Sequence, residues 1–234
     1  MNNKINILIA ILFTLTYSNN LIDKKLNYDI EYKNIYAGEA FLLINEDSLY
    51  NTKVLKLKSN LRTNKFVDFF YKIRDEIIIY MDYDDLSLLK VINKISEGKY
   101  KKNHNAILDK ESKSIISKNK KIIIKNKVYA PLSIIYSLRK KLLYIDDIYK
   151  YEIYNMNKLK NINMNVIGRE KVNTPFGKYN TIVLSPKSDG NESVIKNNGD
   201  MKIWFTDDKN RYPIKIEIKL NHGSILLLLN NIEQ

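Results

Sequence analysis

The chain has 234 residues, with 39 Lys and Arg against 26 Asp and Glu and a formal net charge of +13. It has no cysteine, which excludes disulfides, thiolate metal sites and cysteine nucleophiles. Its seven glycines do not form a nucleotide-binding glycine loop. The lysines are scattered over alternating strand faces, and codon usage typical of an AT-rich genome explains their abundance. We therefore expect no nucleic-acid partner, whereas weak attraction to anionic lipid or polysaccharide is compatible with the charge.

The first residues have the pattern of a secretion signal. Lys4 is followed by an apolar run, Ile5 to Leu15, that is too short to cross a bilayer of about 30 Å as a helix. Thr16 and Ser18 then place small residues three and one positions before a possible cleavage site. We predict a signal peptide over residues 1–18, export to the periplasm or envelope, and a mature single β-rich domain over residues 19–234. An uncleaved anchor is the alternative.

Alternation of apolar and polar residues predicts half-buried β-strands along most of the chain. It is clear in Leu26 to Tyr32, Leu55 to Leu61, Ile162 to Val166 and Ile214 to Leu220. Further predicted strands are Glu39 to Ile44, Ile73 to Met81, Leu86 to Ile95, Lys99 to Leu108, Ile115 to Ile124, Tyr149 to Tyr154, Tyr179 to Leu184, Lys202 to Phe205 and Ser224 to Leu229. The polar stretch from Lys187 to Asn198 is predicted to be a surface loop.

One segment has clear helical spacing, from Pro131 to about Leu143, with proline at the first helical position. Residues 65–71 could form a short helix or a bent strand. Many strands with one helix at mid-chain predict a mainly β fold, in which antiparallel meanders curl into an open or closed barrel-like sheet and the helix packs across it. Curling is favoured because it leaves fewer exposed strand edges.

Several short segments, in chain order, resemble the exported bacterial family catalogued as domain of unknown function 3108. The matching segments are Ala37-Gly38, Phe69-Phe70, Arg74-Asp75, Pro131-Leu132-Ser133 with Tyr136 and Arg139, Gly168-Arg169-Glu170, Thr174 to Tyr179, and Trp204 to Asp208 followed by Arg211 and Pro213. The resemblance implies export and a β-rich fold but no chemistry. In the family an aspartate usually precedes the helix proline, where this chain has Ala130. We therefore expect packing or Ser133 to hold the helix start.

No catalytic, metal-binding or cofactor-binding pattern is found. The two histidines, His104 and His222, have no recognisable catalytic partner in the sequence. Asp207 and Asp208 could serve as paired carboxylates for glycoside cleavage, but a turn between two strands explains them more simply. We therefore predict no catalytic residue, no metal site and no cofactor.

The most notable polar residues are arginines and their neighbours, because a lysine-rich chain that keeps arginine usually needs its planar guanidinium. These candidate binding residues are Arg139, Arg169, Glu170, Trp204, Asp207 and Arg211. One interpretation is a structural network of ion pairs that ties the helix to strand ends. The other is a polar mouth that binds an anionic head group.

Three functions are compatible with these features. The first is a non-catalytic carrier or chaperone for an apolar or amphipathic ligand such as lipid, held inside the barrel. The second is an envelope scaffold whose core is full. The third, least favoured, is a hydrolase that uses the acidic and arginine cluster.

Overall fold

The computed structural model describes residues 21–22, 24–118, 120–188, 200–220 and 222–233. The predicted signal, residues 1–18, lies outside the described residues, as do residues 189–198 of the predicted surface loop. None of the helices in the described part is long and apolar enough to cross a membrane.

The chain forms two meanders of strands, and the second begins with a short strand and one buried helix. The first meander contains β1 (Lys24–Tyr32), β2 (Ile35–Leu49), β3 (Thr52–Thr63), the short helix α1 (Lys65–Asp68), β4 (Arg74–Asp82), β5 (Leu88–Glu97), β6 (Tyr100–Asp109), β7 (Ser114–Ser117) and β8 (Lys120–Ile123). The second contains β9 (Val128–Tyr129), α2 (Pro131–Arg139), β10 (Ile148–Asn155), β11 (Lys158–Thr174), β12 (Gly177–Ser188), β13 (Asp200–Thr206), β14 (Pro213–Leu220) and β15 (Gly223–Glu233).

All fifteen strands belong to one sheet, in which β1 pairs with β15 and joins the two meanders. Every pair is antiparallel except β9 with β10. The sheet order runs from β8 to β9, so these two strands are its edges. The sheet curls until β6 approaches β10, where His104 Nε2 lies 3.0 Å from the Tyr154 hydroxyl. The predicted β-rich, barrel-like fold with a central helix is therefore confirmed.

The hydrophobic core is formed by apolar residues at alternate positions along the strands. The burial pattern of β1 alternates buried and half-buried positions, and Leu26 and Tyr28 are almost fully buried. Leu57 of β3 and Ile79 of β4 continue the same apolar layer. Because fully burying such a side chain contributes about 1.5–3 kcal/mol, one apolar face repeated over many strands can hold a long curled sheet together.

The central helix α2 lies inside the curl. Residues 133–139 are all buried, so only the start of this helix, at Pro131 and Leu132, is accessible to solvent. At its start the Ser133 hydroxyl accepts from the Ala130 backbone N–H (3.1 Å) and donates to the Ala130 carbonyl (2.9 Å). Packing or Ser133 was expected to hold the helix start, and Ser133 forms these two hydrogen bonds there.

The helix ends at Arg139, four residues earlier than the predicted Leu143. At Lys140 the backbone N–H bonds to the carbonyls of Ser137 and Leu138, which tightens and ends the last turn. The chain then turns so that Leu143 enters the core while Leu142 remains 65 % exposed. Helical spacing at Leu142 was thus misleading, because the core contact belongs to the following residue.

The structure corrects the predicted strand at residues 115–124 and decides between helix and strand at residues 65–71. The predicted strand Ile115 to Ile124 is a hairpin of β7 and β8, and the Ser117 hydroxyl donates to the Lys120 carbonyl across its turn. The segment near residue 65 is helical over Lys65–Asp68, capped by Asn64, whose side chain accepts from the Val67 N–H.

Because antiparallel strands alternate direction, their connections lie at two opposite ends of the curled sheet. The turns after β1, β3, β5 and β10 lie at the same end as the start of α2, and we call this the cleft end. The turns after β2, β4, β11 and β13 lie with the last residue of α2, and we call this the polar end.

Candidate ligand-binding cleft

The predicted polar residues all surround the β13–β14 turn at the polar end. Arg139, the last residue of α2, is only 2 % exposed, and its Nε donates to the Asn210 carbonyl at 3.1 Å. Its guanidinium carbon lies 5.3 Å from the Tyr136 ring centroid and 4.9 Å from that of Tyr212. Burial lowers the pKa of Arg139, while the nearby Tyr136 and Tyr212 act in the opposite direction. This arginine therefore ties the helix end to the turn.

The other predicted residues pair with one another. Arg169 Nε donates to Asp207 Oδ2 at 2.8 Å, in a pair whose side chains are 47 % and 36 % exposed. The Trp204 indole N–H donates to Glu170 Oε2 at 2.9 Å. Trp204 is buried, as are its neighbours on β13, and Lys215 Nζ lies 4.2 Å from its ring centroid.

The acidic pair at this turn has a turn-forming geometry. Asp208 Oδ1 accepts from the backbone N–H groups of Asn210 (2.8 Å) and Arg211 (3.1 Å) and from the Thr206 hydroxyl (3.0 Å). Arg211 itself has a positive φ of 45°, which the turn requires. The structure thus places all six predicted residues together and gives most of them partners within the protein. Their role in binding a ligand stays a prediction.

A second site, which the sequence did not reveal, lies at the cleft end. A pocket of about 480 Å³ opens between strands β4 and β5 and the start of α2. Ile77 and Ile79 of β4 line it together with Val91 and Ile95 of β5, and Leu132 of α2 faces them. Such a volume falls within the range of about 300–1,000 Å³ typical of small-molecule sites.

Polar groups stand at defined points of this cleft. Asn93, buried between Val91 and Ile95 on β5, donates to the Met156 sulfur at 3.8 Å. Asp75 stands at the rim, where its Oδ1 accepts from the Ser96 N–H at 2.9 Å. Glu97, Tyr100, Tyr154 and Asn155 also line the cleft, so apolar and polar side chains both face it, as expected of a site for an amphipathic molecule.

His104 on β6 lies next to the cleft-lining Asn93, its cross-strand partner on β5. The Tyr154 hydroxyl donates to Asn157 Oδ1 at 2.9 Å, so it accepts from His104 Nε2, which places the proton of a neutral ring on Nε2. Burial, with a smaller contribution from Lys102, lowers the pKa of His104. This histidine is a buried partner of a cleft-lining tyrosine.

Comparison with known proteins identifies the family. The family model described as "Protein of unknown function (DUF3108)" matches residues 27–230, which is most of the chain. The chain belongs to the DUF3108 family. No curated protein matches the sequence.

The fold of this DUF3108 chain also occurs in solved structures. A β-barrel-like protein of the domain of unknown function DUF1849 from Brucella abortus is similar, with a TM-score of 0.56, 12 % identity, and coverage of 91 % of this chain and 98 % of that one. A candidate lipoprotein from Parabacteroides distasonis matches at a TM-score of 0.34 and 11 % identity, over 91 % of this chain and 95 % of its own. At 12 % identity, the similarity to the DUF1849 protein shows a shared fold.

Sequence reasoning missed the cleft in this DUF3108 chain because its walls are distant in the sequence. One local signal was present, since Asn93 interrupts the apolar face formed by Val91 and Ile95. A polar residue on a core-facing position is a common mark of a site. Asn93 can be interpreted in this way only once the structure shows that the start of α2 lies opposite β5.

Proposed function

We propose that the chain is an exported cell-envelope protein that binds one apolar or amphipathic ligand, such as the acyl part of a lipid, in the cleft at the start of α2. The cleft carries this proposal. Its size and its isoleucine and valine lining suit a chain-like apolar part of a ligand, and its polar lining residues, which include Asp75 and Glu97, suit a polar part of the same ligand. Export is supported by the basic, apolar and small-residue pattern of residues 1–18. The proposal involves no catalysis.

The interior of this curled sheet is not one continuous cavity that could hold the ligand. Helix α2 occupies the centre, and its residues Ile134, Ile135 and Leu138 are at most 3 % exposed. The ligand would therefore lie beside the start of the helix, against β4 and β5. The filled centre is also the observation that favours the second candidate, an envelope scaffold without a ligand.

The test is to purify the exported protein from its own envelope, extract it with organic solvent and analyse the extract by mass spectrometry. The matched variants are Ile95→Trp and Ile92→Trp. Ile95 is half-buried and lines the cleft, whereas Ile92 is half-buried on the opposite face of the same strand. The first variant fills the cleft, and the second adds the same ring elsewhere.

We expect a stoichiometric apolar or amphipathic compound with the wild type and with Ile92→Trp, and its loss with Ile95→Trp. An extract without any bound compound, from protein that is folded, would contradict the carrier function and support the scaffold. A bound compound that Ile95→Trp retains fully would show that the ligand lies elsewhere.

A further inference from the structure

A group of exposed aromatic rings lies between β3 and β4. Phe66 is 67 % exposed, Phe69 85 %, Phe70 72 % and Tyr71 49 %. The rings of Phe66 and Phe69 each meet Phe70 edge-on, at centroid distances of 5.7 and 5.1 Å. Neighbouring exposed phenylalanines are costly in water, and an apolar patch of this kind marks an interaction surface.

The segment that carries these rings is firmly attached. Asn64 donates to the Tyr36 carbonyl and caps α1, and Asp68 forms an ion pair with Arg74 and accepts from the Thr63 hydroxyl. The ion pair with Arg74 and the bond from Thr63 lower the pKa of Asp68, so the segment's one carboxylate is ionised and paired. The rings are therefore held outside by a braced backbone.

The turn between β5 and β6 extends the same surface. Gly98 has a φ of 56°, and a Cβ there would lie 2.8 Å from the Tyr71 ring, so this glycine lets Tyr71 pack on the turn. The Gly98 N–H donates to the Lys72 carbonyl at 2.8 Å, which joins the turn to the aromatic segment. Tyr100, 53 % exposed, follows on β6.

Lysines surround the rings. Lys65 and Lys72 flank them in the chain, Lys99 lies on the adjoining turn and Lys101 at the start of β6, and all four are exposed. None of the ion pairs found among the described residues involves these four lysines. The surface thus combines apolar rings with a net positive charge, because residues 65–72 and 98–101 contain four lysines and one carboxylate, Asp68.

We propose that this surface, residues 65–72 together with residues 98–101, docks the protein on a lipid bilayer that contains anionic head groups. The phenylalanine rings enter the interface between head groups and acyl chains, and the lysines lie at the phosphates. A second copy of the chain fits less well, because two such lysine-rich surfaces would repel each other. The inference goes beyond ligand binding and does not depend on it.

The docking surface adjoins the cleft. Glu97 and Tyr100, which line the cleft, lie on the strands that flank Gly98. A protein docked through this surface therefore turns the cleft end toward the bilayer. If the cleft binds lipid, this orientation brings the two together.

The test uses the cysteine-free background to place one fluorescent probe. The variant Phe66→Cys, labelled with an environment-sensitive nitrobenzoxadiazole dye, reports entry of the surface into lipid. Tyr50→Cys, at a turn of the polar end where Tyr50 is 80 % exposed, is the matched control. Vesicles contain either phosphatidylcholine alone or phosphatidylcholine with phosphatidylglycerol.

With phosphatidylglycerol vesicles we expect a blue shift and brightening at position 66 that 0.5 M salt diminishes, and no change at position 50. The pair of substitutions Phe69→Ser and Phe70→Ser should weaken co-sedimentation with these vesicles at least ~10-fold, because two apolar rings no longer enter lipid. Both rings are exposed, so the unfolding midpoint should stay unchanged.

Equal responses at positions 66 and 50, or no response at position 66, would overturn the proposal. So would undiminished co-sedimentation of the doubly substituted protein, or self-association that depends on Phe69 and Phe70 in the absence of vesicles. The filled-cleft variant Ile95→Trp should still bind the vesicles. Docking and ligand binding can therefore fail separately.

Discussion

The two ends of the curled sheet use their polar and apolar residues in opposite ways. At the polar end, charged groups are matched inside the protein, as Arg169 is with Asp207 and as Glu170 is with the Trp204 indole. At the cleft end, isoleucines line an open pocket and phenylalanines stand in water. Matched groups hold a fold together, whereas apolar surface that the fold leaves open is available to a partner. The proposed ligand site therefore lies at the cleft end, whereas the residues singled out from the sequence lie at the polar end.

The largest expected effect tests whether the polar end is structural. Replacing Arg139 by Ala removes a buried side chain packed between two tyrosine rings and its bond to the Asn210 carbonyl. We expect a loss of about 3 kcal/mol in the free energy of unfolding, measured in urea. Arg169→Ala, in a pair half open to water, should lose less than ~1 kcal/mol. A similarly small loss of unfolding free energy in both variants would show that Arg139 does not have this structural role.

A smaller effect is expected at the Trp204 contact. Glu170→Ala removes the part-buried acceptor of the Trp204 indole N–H, so we expect a loss of about 1 kcal/mol in unfolding free energy, read from tryptophan fluorescence. Glu170→Gln keeps an acceptor oxygen and should retain most of the stability. Were ligand binding to decrease with Glu170→Ala while stability stayed unchanged, the polar end would be a binding site after all.

At the cleft end the comparable structural contact is the helix start. Ser133→Ala removes both bonds to Ala130 and leaves a buried backbone N–H, which should cost about 1 kcal/mol. Ser133→Thr, which keeps the hydroxyl, is the control for the loss of hydrogen bonding. Unfolding in urea measures the effect. An unchanged midpoint for Ser133→Ala would mean that packing alone positions the helix.

The smallest expected effect is a dependence of stability on pH. Burial lowers the pKa of His104 in the folded protein below its usual value near 6.5, so the unfolded state takes up protons first as pH falls. Stability should therefore be full above about pH 6.5 and decrease by less than ~1 kcal/mol toward pH 5. His104→Gln should flatten this slope and the exposed-site variant His222→Gln should keep it. The same slope in both variants would assign it to other groups.

The sequence predicted the strands well because the face on which a strand residue lies is a local property with a period of two. It also indicated that packing or Ser133 would hold the helix start, because Ala130 stands where the family that the chain resembles usually has an aspartate. The end of α2 was placed too late because helical spacing at Leu142 does not tell whether the chain has already turned. The hairpin of β7 and β8 was read as one strand because its apolar residues continue across a short polar turn.

The cleft could not be predicted for a different reason. Ile77, Ile95 and Leu132 come from three elements whose contact depends on how far the whole sheet curls around α2. No local pattern reports that curvature. The phenylalanines are evident in the sequence, but only the structure shows that Phe69 and Phe70 are exposed to solvent.

A crystal structure of the protein with a brominated fatty acid would test the central claim most directly, because anomalous scattering locates bromine without any assumption about the site. The account predicts bromine in the cleft between the isoleucines of β4 and β5 and Leu132 of α2. Bromine beside Arg139 at the polar end, or no ordered bromine in a crystal soaked at saturating concentration, would contradict it.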